Sequence, residues 1–278
     1  MEIVIAEQGA YALTAAFSLE EARGRANAQK TSAFGTMAKL LSRPKDDDIV
    51  LEPIGLRYEP LWHATAHLRF AYDRRETYRV QLKAAHVRSV TVFGNELSVA
   101  DPRQPAVEVP ALEHCLREER KEVWIDAVTD QPLAHAAYGK AEATAISLDT
   151  FAPDGAQIAT PTVRASAVIR KLLGDDFRPT DADAMHEEIV EVECVDLVLR
   201  PTYAFRYTWT AKGKSVETTI DAITGETRQE SSRTAAVFAK LLHPDTLFDV
   251  GAETLNLVVP GGAIALKVAR AISQSRKG

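Results

Sequence analysis

Two histidines four residues apart, His63 and His67, have the spacing most suggestive of metal chemistry. On a helix, this spacing would bring both imidazoles to one face, where they could share a zinc ion. The segment follows Pro60 and has the pattern of a strand, in which positions i and i+4 lie about 13 Å apart. We therefore expect that the two histidines do not share a metal, and the sequence assigns no metal site.

The tripeptide Gly213-Lys214-Ser215 resembles the end of a phosphate-binding loop. That loop needs a glycine five residues before Gly213, where this chain has Thr208, and it needs a helix to follow. The pattern after Ser215 is that of a strand, so we expect a hairpin turn. Gly261-Gly262 lies between a strand-like run and a helix-like run, but it lacks a third glycine and a βαβ context. No cofactor is expected.

Other reactive side chains occur without the spacing that their chemistry requires. The acidic runs at 46–48 and 175–176 lack the alternation of a calcium loop, and we expect hydrated linkers there. His186-Glu187-Glu188 lacks the second histidine of a zinc protease, and no Gly-x-Ser-x-Gly or Gly-x-Gly-x-x-Gly motif occurs. Cys115 and Cys194 belong to no Cys-x-x-Cys pair, so we expect two reduced, buried thiols. The sequence therefore predicts no catalytic residue.

The elements that would position these residues repeat along the chain. Residues 51–62 align with residues 192–203, and both Pro60 and Pro201 and the pair Trp62 and Tyr203 are 141 positions apart. Residues 125–130, Ile-Asp-Ala-Val-Thr-Asp, match residues 220–225, Ile-Asp-Ala-Ile-Thr-Gly. Each closing segment reads as a strand that enters a turn. Such a turn often needs a positive φ at its last residue. Gly225 in the second segment adopts a positive φ readily, and Asp130 in the first segment can approximate it.

Helical spacing of apolar residues precedes or follows these segments. Residues 34–41, 167–173 and 236–242 each predict a short amphipathic helix. Ser18 and Glu21 form a capping box that predicts a helix over 19–29, and Thr160-Pro161 predicts another helix start. These elements predict an α+β fold built from two repeated helix-on-antiparallel-sheet units. The expected divisions are 1–150 with an insertion near 84–120, a compact second unit at 151–230, and a helical, apolar tail at 231–278.

The hairpin-like stretch at 203–226 resembles the hairpin of PepSY-type domains, in which two strands end in an Asp-Ala-x-Thr-Gly-Glu motif. Asp221, Thr224, Gly225 and Glu226 match that motif. The resemblance implies a small, non-catalytic helix-on-sheet module that binds or restrains a partner protein.

Composition excludes several function classes. The chain has 278 residues, a formal net charge of −6 and no basic stripe, which argues against nucleic-acid binding. No run approaches the roughly 20 apolar residues of a spanning helix, and the N-terminus has the pattern of a strand rather than of a signal peptide. We therefore predict a cytoplasmic protein without a transmembrane segment.

The main functional hypothesis is a non-enzymatic module that binds a protein partner or a second copy of itself. The apolar tail is the predicted contact surface. Its candidate residues are Leu255, Leu257, Val258, Ile264, Leu266, Lys267 and Arg270. Two alternatives remain: a hydrolase or transferase with a cleft between the two repeats, and peripheral membrane contact through the tail, which combines apolar residues with a basic end.

Overall fold

The computed structural model describes residues 2–6, 8–35, 45–84, 86–101, 103–133, 137–153, 155–174, 179, 181–229, 248 and 265–268. Twelve strands are found in these residues. They are β1 (Glu2–Ile5), β2 (Ala10–Leu13), β3 (Ile49–Gln81), β4 (Ser89–Val92), β5 (Asn95–Ser98), β6 (Ala106–Asp126), β7 (Ala143–Ala145), β8 (Gln157–Ile158), β9 (Ala184–Trp209), β10 (Lys214–Asp221), β11 (Thr227–Gln229) and β12 (Ala265–Val268). Two α-helices, α1 (Leu19–Ala28) and α2 (Ala165–Leu173), accompany them.

Two long antiparallel strands, β3 and β9, form the centre of a ten-stranded mixed sheet. The second edge of β9 pairs in turn with β1, β2 and β10. The second edge of β3 pairs with the short parallel strand β8 and then with β6. Along β9, two short parallel strands are therefore followed by the antiparallel β10, whereas along β3 one short parallel strand is followed by the long antiparallel β6. A separate two-stranded hairpin, β4–β5, follows the C-terminal end of β3 in the chain.

The predicted α+β class with two separate helix-on-sheet units is wrong. The described chain is mostly β, and the two aligned segments lie side by side in one sheet. The physical reason is strand length: β3 has 33 residues and β9 has 26. Pro60 and Pro201 lie inside these strands rather than at their ends, so each strand continues past its proline and pairs with the other.

Two apolar clusters pack against the sheet, and each lies under a different helix. Helix α1 begins at the predicted capping box, where Ser18 and Glu21 cap each other, and it buries only Ala22 and Ala26. Helix α2 buries a stronger stripe that includes Val168 and Leu172. The cluster under α2 also contains Trp62, Phe70 and Leu197, whereas the cluster under α1 contains Tyr203, Phe205 and Tyr207.

Several local predictions can be compared directly with the structure. The helix over 19–29 is confirmed, and so is a hairpin turn at Gly213, which adopts a left-handed conformation between β9 and β10. Helix α2 begins at Ala165 with Arg164 as its N-cap, so the predicted start at Thr160-Pro161 is wrong. The helix predicted at 236–242, and all but two residues of the one predicted at 34–41, lie outside the described residues.

The two closing turns have the same hydrogen bonds. Asp126 Oδ1 accepts N–H groups from Val128 and Thr129. Asp221 Oδ1 accepts the corresponding groups, the N–H of Ile223 and of Thr224. The last residues, Asp130 and Gly225, have φ values of 62° and 75°, which confirms the predicted positive φ at both positions. Ala127 donates to the Pro60 carbonyl and Ala222 to the Pro201 carbonyl, both at 3.0 Å, so each turn is fixed to its proline.

Candidate functional site

Strand pairing brings the first candidate site together. His63 of β3 lies directly opposite Asp196 of β9, and Thr65 lies opposite Cys194. Side chains of opposite residues in an antiparallel pair point to the same face. The register shift that follows Thr65 leaves an extra residue in β9 at Glu193, and such bulges often re-aim side chains near functional sites. The imidazole, thiol and carboxylate therefore project from one face of the central strands.

The three functional groups converge at bonding distance from a common point. The Cys194 Sγ lies 3.8 Å from the His63 Nδ1 and 3.2 Å from the Thr65 Oγ1. One ligand atom from each of His63, Cys194 and Asp196 lies within 4.8 Å of the other two. All three residues are partly buried. The arrangement places a nitrogen, a sulfur and an oxygen donor around one small volume.

Residues of β6 hold the imidazole from the other side. His63 Nε2 lies 3.0 Å from Glu122 Oε1, and the Trp124 Nε1–H donates to the same oxygen at 2.9 Å. The Trp124 ring stacks on the His63 ring with centroids 4.1 Å apart and an interplanar angle of 19°. The Trp124 hydrogen bond is the main factor that lowers the pKa of Glu122. A carboxylate on Nε2 favours the tautomer with its proton there, which leaves the Nδ1 lone pair directed at Cys194.

The Asp196 carboxylate is fixed by the backbone that enters β2. The Gly9 N–H donates to Asp196 Oδ1 at 3.0 Å, and burial raises the pKa of this carboxyl above its usual range. The negative charge of Asp196 in turn raises the pKa of the neighbouring Tyr11 phenol. Burial likewise raises the pKa of the Cys194 thiol. Without a cation nearby, Cys194 is therefore held as a neutral thiol at neutral pH, which is unfavourable for a nucleophilic thiolate.

A cavity of about 210 Å³ opens beside the three groups. Its lining is mainly apolar and aromatic and includes Tyr11, Leu13, Trp124 and Tyr138, with His63 at its wall. A concave, mostly apolar space with a few convergent polar groups is the usual form of a small-molecule site. The cavity is large enough for a small ligand and places it against the imidazole.

Gly9 is required where β2 approaches this site. A Cβ at position 9 would lie 2.5 Å from Tyr11 Cε2 and 2.9 Å from Asp196 Oδ1, both shorter than real Cβ contacts. We expect Gly9→Ala to displace the Asp196 carboxylate and to lower the free energy of unfolding by about 1–3 kcal/mol through overpacking. Urea denaturation checks this value. Gly24→Ala is the matched control because a Cβ there contacts nothing within 4 Å, and it should leave stability unchanged or raise it. Equal effects of the two changes would contradict the prediction.

A buried ionic cluster lies where the two aligned segments cross. Arg200 is 1% exposed, and its guanidinium contacts Glu59 at 2.7 Å, Asp126 at 3.2 Å and Asp221 at 3.4 Å. Glu59 and Arg200 are 141 positions apart, so they occupy the same place in the aligned segments. Tyr138 donates its hydroxyl proton to Asp221, and burial raises the pKa of Tyr138 to about 12. The enzyme hypothesis placed a cleft between the repeats, but β3 and β9 pair directly there.

The second candidate surface is a two-stranded extension, which we call the ribbon: residues 74–81 of β3 paired with residues 106–113 of β6. Strand β9 accompanies β3 only as far as Asp73, which lies opposite Ala184. Within the described residues, β3 pairs with no other strand along the outer edge from 74 to 81. Eight strand residues span roughly 25 Å, so the ribbon projects well beyond the central sheet.

Exposed apolar side chains concentrate on and around the ribbon. Eight large apolar side chains are exposed among the described residues, and six of them lie here, whereas Leu19 and Val50 lie elsewhere. The six are Tyr78, Val80, Leu112, Leu116, Met185 and Phe93. Phe93 is fully exposed in the β4–β5 turn and has a φ of 50°, a conformation that costs an aromatic residue energy. Tyr78 and Val80 share one face of the β3–β6 pair, whereas Leu112 and Leu116 lie on its other face.

The structure describes little of the predicted contact tail. Leu266 and Lys267 lie in β12, which pairs parallel with β1 through Ile3↔Leu266 and Val4↔Lys267. These residues form a strand, so the predicted helix is wrong at 265–268. The remaining predicted contacts lie outside the described residues, namely Leu255, Leu257, Val258, Ile264 and Arg270. Gly261 and Gly262 also lie outside them, and the tail's role in partner binding stays a prediction.

Sequence reasoning considered His63 and Cys194 separately and did not connect them. The structure confirms that His63 and His67 lie in one strand, but it brings His63 to Cys194 and Asp196 instead. The missing information was the register of β3 against β9. The aligned segments offered a signal, because an antiparallel pairing of Glu59 with Arg200 fixes His63 opposite Asp196.

Comparisons with protein-family models, with curated proteins and with solved structures find no match to this chain. The resemblance of residues 203–226 to a PepSY hairpin therefore stays a prediction, although these residues do form a hairpin in which Tyr203 pairs with Ile220. No helix in the described part of the chain is both long and apolar enough to cross a membrane. Function must be argued from the two candidate surfaces.

Proposed function

We propose that the protein is a protein-binding module whose contact surface is the ribbon and whose occupant is a second copy of the same chain. The observation that carries the proposal is the exposure of Tyr78 and Val80, which lie on one face of the ribbon and are each close to half exposed. Burial of such side chains in an interface is favourable by about 25 cal/mol per Å² of apolar area.

The outer edge of β3 supports self-association by strand pairing. No other described strand covers residues 74–81, although the Arg75 N–H already donates to Asp183 Oδ2. Directly opposed residues of two antiparallel strands have their side chains on the same face. If two copies pair antiparallel about Tyr78, the two Tyr78 side chains therefore lie opposite each other, and such aromatic pairs stabilise a sheet.

The outer edge of β6 is less suited to this role. Pro110 lies in the ribbon part of this edge and has no backbone N–H to donate to an added strand. The edge of β3 contains no proline from 74 to 81 and is the better site for a second chain.

Sedimentation velocity across a concentration series tests the proposal, because it measures the dissociation constant of each protein.

Apolar substitutions supply the matched control for the same experiment. Tyr78→Ser/Val80→Ser removes exposed apolar area from the ribbon and should shift the protein to monomer, because that area would no longer be buried. Leu19→Ser/Val50→Ser removes comparable area elsewhere and should leave the association state unchanged. A wild-type protein that stays monomeric at high concentration overturns the proposal. Equal weakening by the two double variants also counts against the ribbon.

A further inference from the structure

We propose that His63, Cys194 and Asp196 bind one divalent transition-metal ion, with zinc as the preferred metal and a fourth coordination position open to the neighbouring cavity. This site is independent of the ribbon and goes beyond protein binding. The sequence predicted no metal ligand, because its only histidine pair lies along one strand. The ligands of this site come instead from two strands that are far apart in the chain and adjacent in the sheet.

The ligand atoms have the separations that a tetrahedral zinc ion requires. Zinc binds imidazole nitrogen and carboxylate oxygen at about 2.0–2.2 Å and thiolate at about 2.3 Å, which places neighbouring ligands roughly 3.3–3.8 Å apart. The Cys194 Sγ and the His63 Nδ1 are 3.8 Å apart, and all three donor atoms lie within 4.8 Å of one another.

Neighbouring residues form hydrogen bonds that orient the side chains of the proposed ligands. A metal-bound histidine commonly donates its second ring N–H to a carboxylate, and His63 has Glu122 at 3.0 Å from Nε2. The stacked Trp124 fixes the ring plane and also donates to Glu122. Asp196 accepts a hydrogen bond from Gly9, so one carboxylate oxygen is held while the other stays available. All these contacts orient the donor atoms toward the common point.

The donor set selects the class of metal. Calcium and magnesium prefer oxygen ligands only, so an imidazole and a thiol argue against them. Mixed nitrogen, sulfur and oxygen donors suit zinc and related first-row ions. Three protein ligands leave one position of a tetrahedron for water or a small ligand, the pattern of zinc sites that are not closed by protein. Here that position faces a cavity lined by Tyr11, Trp124 and Tyr138.

Cobalt provides a direct spectroscopic test of the site in the full-length chain without an affinity tag. Metal-free protein is titrated with Co²⁺, and absorption is recorded for the cobalt–thiolate charge-transfer band and the visible bands of tetrahedral cobalt. We expect one equivalent to produce both features, and Zn²⁺ to displace Co²⁺ stoichiometrically. Binding of Co²⁺ without a thiolate band, or no binding at micromolar protein, would falsify the proposed ligand set.

Matched variants assign the ligands. Cys194→Ser should abolish the thiolate band, whereas Cys115→Ser, which changes the other cysteine, should retain it. His63→Gln should lose most of the affinity, whereas His67→Gln, in the same strand, should bind as the wild type does. Glu122→Gln should weaken binding about 10- to 100-fold without changing the stoichiometry, as expected for a residue that orients a ligand. Circular dichroism of each metal-free variant verifies that the fold is retained.

The control pairs make every outcome informative. If Cys115→Ser loses the band and Cys194→Ser keeps it, the site lies elsewhere and the proposal is overturned. If His63→Gln and His67→Gln weaken binding equally, the metal is held by surface histidines and not by this cluster. If a Cys194→Ser variant does not fold, the His63→Gln and His67→Gln pair still decides the question. The association state from sedimentation is measured separately, so failure here leaves the ribbon proposal intact.

Discussion

Replacement of Arg200 by methionine is expected to lower the free energy of unfolding by about 3–5 kcal/mol. The guanidinium is almost fully buried and contacts three carboxylates, those of Glu59, Asp126 and Asp221. Burial alone would lower the pKa of Arg200, but the carboxylates outweigh burial and raise it, so the group stays charged. Without this cation, the carboxylates repel one another in a medium of low polarity, and part of their charge must be neutralised or hydrated.

The matched control is Arg206→Met, a change of the same type six residues along the same strand. Arg206 pairs with Glu217 at 2.6 Å, but its side chain is 47% exposed, so this change should cost no more than about 1 kcal/mol. Urea denaturation at pH 7 measures both values, and equal slopes of the transitions verify that the unfolded states are comparable. A loss below about 1 kcal/mol for Arg200→Met would show that the cluster is not a determinant of stability.

When Arg200 is absent, the negative charge of the ionic cluster is compensated only in part. Arg228 contacts Glu59 at 2.8 Å and Asp126 at 3.7 Å, but it is more exposed than Arg200. It can compensate the charge of Glu59 more readily than that of Asp221, which is 1% exposed. The decrease in the free energy of unfolding caused by Arg200→Met therefore depends mainly on Asp221, the most buried of the three carboxylates.

Local structure could be predicted from the sequence where a short motif fixes the backbone. The capping box at Ser18 and Glu21 begins α1 as predicted, because both groups satisfy N–H donors within one turn. The positive φ at Asp130 and Gly225 followed from the matched closing segments. Each of these features depends on residues that lie within a few positions of one another, so no knowledge of the tertiary fold was needed.

The fold class could not be predicted in the same way, because it depends on where strands end. Prolines commonly mark strand ends, and Pro60 and Pro201 were read as corners between short strands. Both residues lie instead within long strands and accept hydrogen bonds through their carbonyls from Ala127 and Ala222. The missing proline N–H is tolerated at these positions, so β3 and β9 continue and merge the two predicted sheets into one.

The candidate metal site depends on long-range register, which a single sequence does not determine. His63 and Cys194 are 131 positions apart. They meet because His63 and Asp196 belong to the same uninterrupted register as Glu59 and Arg200, which continues up to the bulge at Glu193. The buried ion pair and the candidate site therefore share one register.

The two closing turns should respond alike to the loss of their aspartates. Asp221→Ala removes the acceptor for the N–H groups of Ile223 and Thr224 as well as the partner of the Tyr138 hydroxyl. We expect it to lower the free energy of unfolding by about 3–5 kcal/mol, since buried donors that lose their acceptor cost about 1–3 kcal/mol each. Asp126→Ala removes the same two turn bonds and should cost slightly less, because Asp126 is 6% exposed and Asp221 only 1%.

Asparagine separates the turn bonds from the ion pair. In Asp221→Asn, the side-chain oxygen still accepts the two N–H groups of the turn, whereas an amide NH2 replaces Oδ2. The charge and the acceptor for the Tyr138 hydroxyl are therefore lost, while the turn bonds remain. The cluster then holds two carboxylates, from Glu59 and Asp126, against the two guanidinium groups of Arg200 and Arg228, so its charges balance. We therefore expect Asp221→Asn to cost about 1–2 kcal/mol, much less than alanine. Urea denaturation of Asp221→Ala, Asp126→Ala and Asp221→Asn at pH 7 measures these differences.

Coupling to Arg200 completes the test. If the charge of Asp221 acts mainly on Arg200, Asp221→Asn and Arg200→Met should be non-additive in a double-mutant cycle, because both changes remove the same interaction. Asp126→Asn should show a smaller coupling, since Asp126 also contacts Arg228. Additive losses at both positions would mean that the aspartates stabilise the turns alone. In that case, the shared register of β3 and β9 would have to be fixed by the apolar residues under α2 rather than by the ionic cluster.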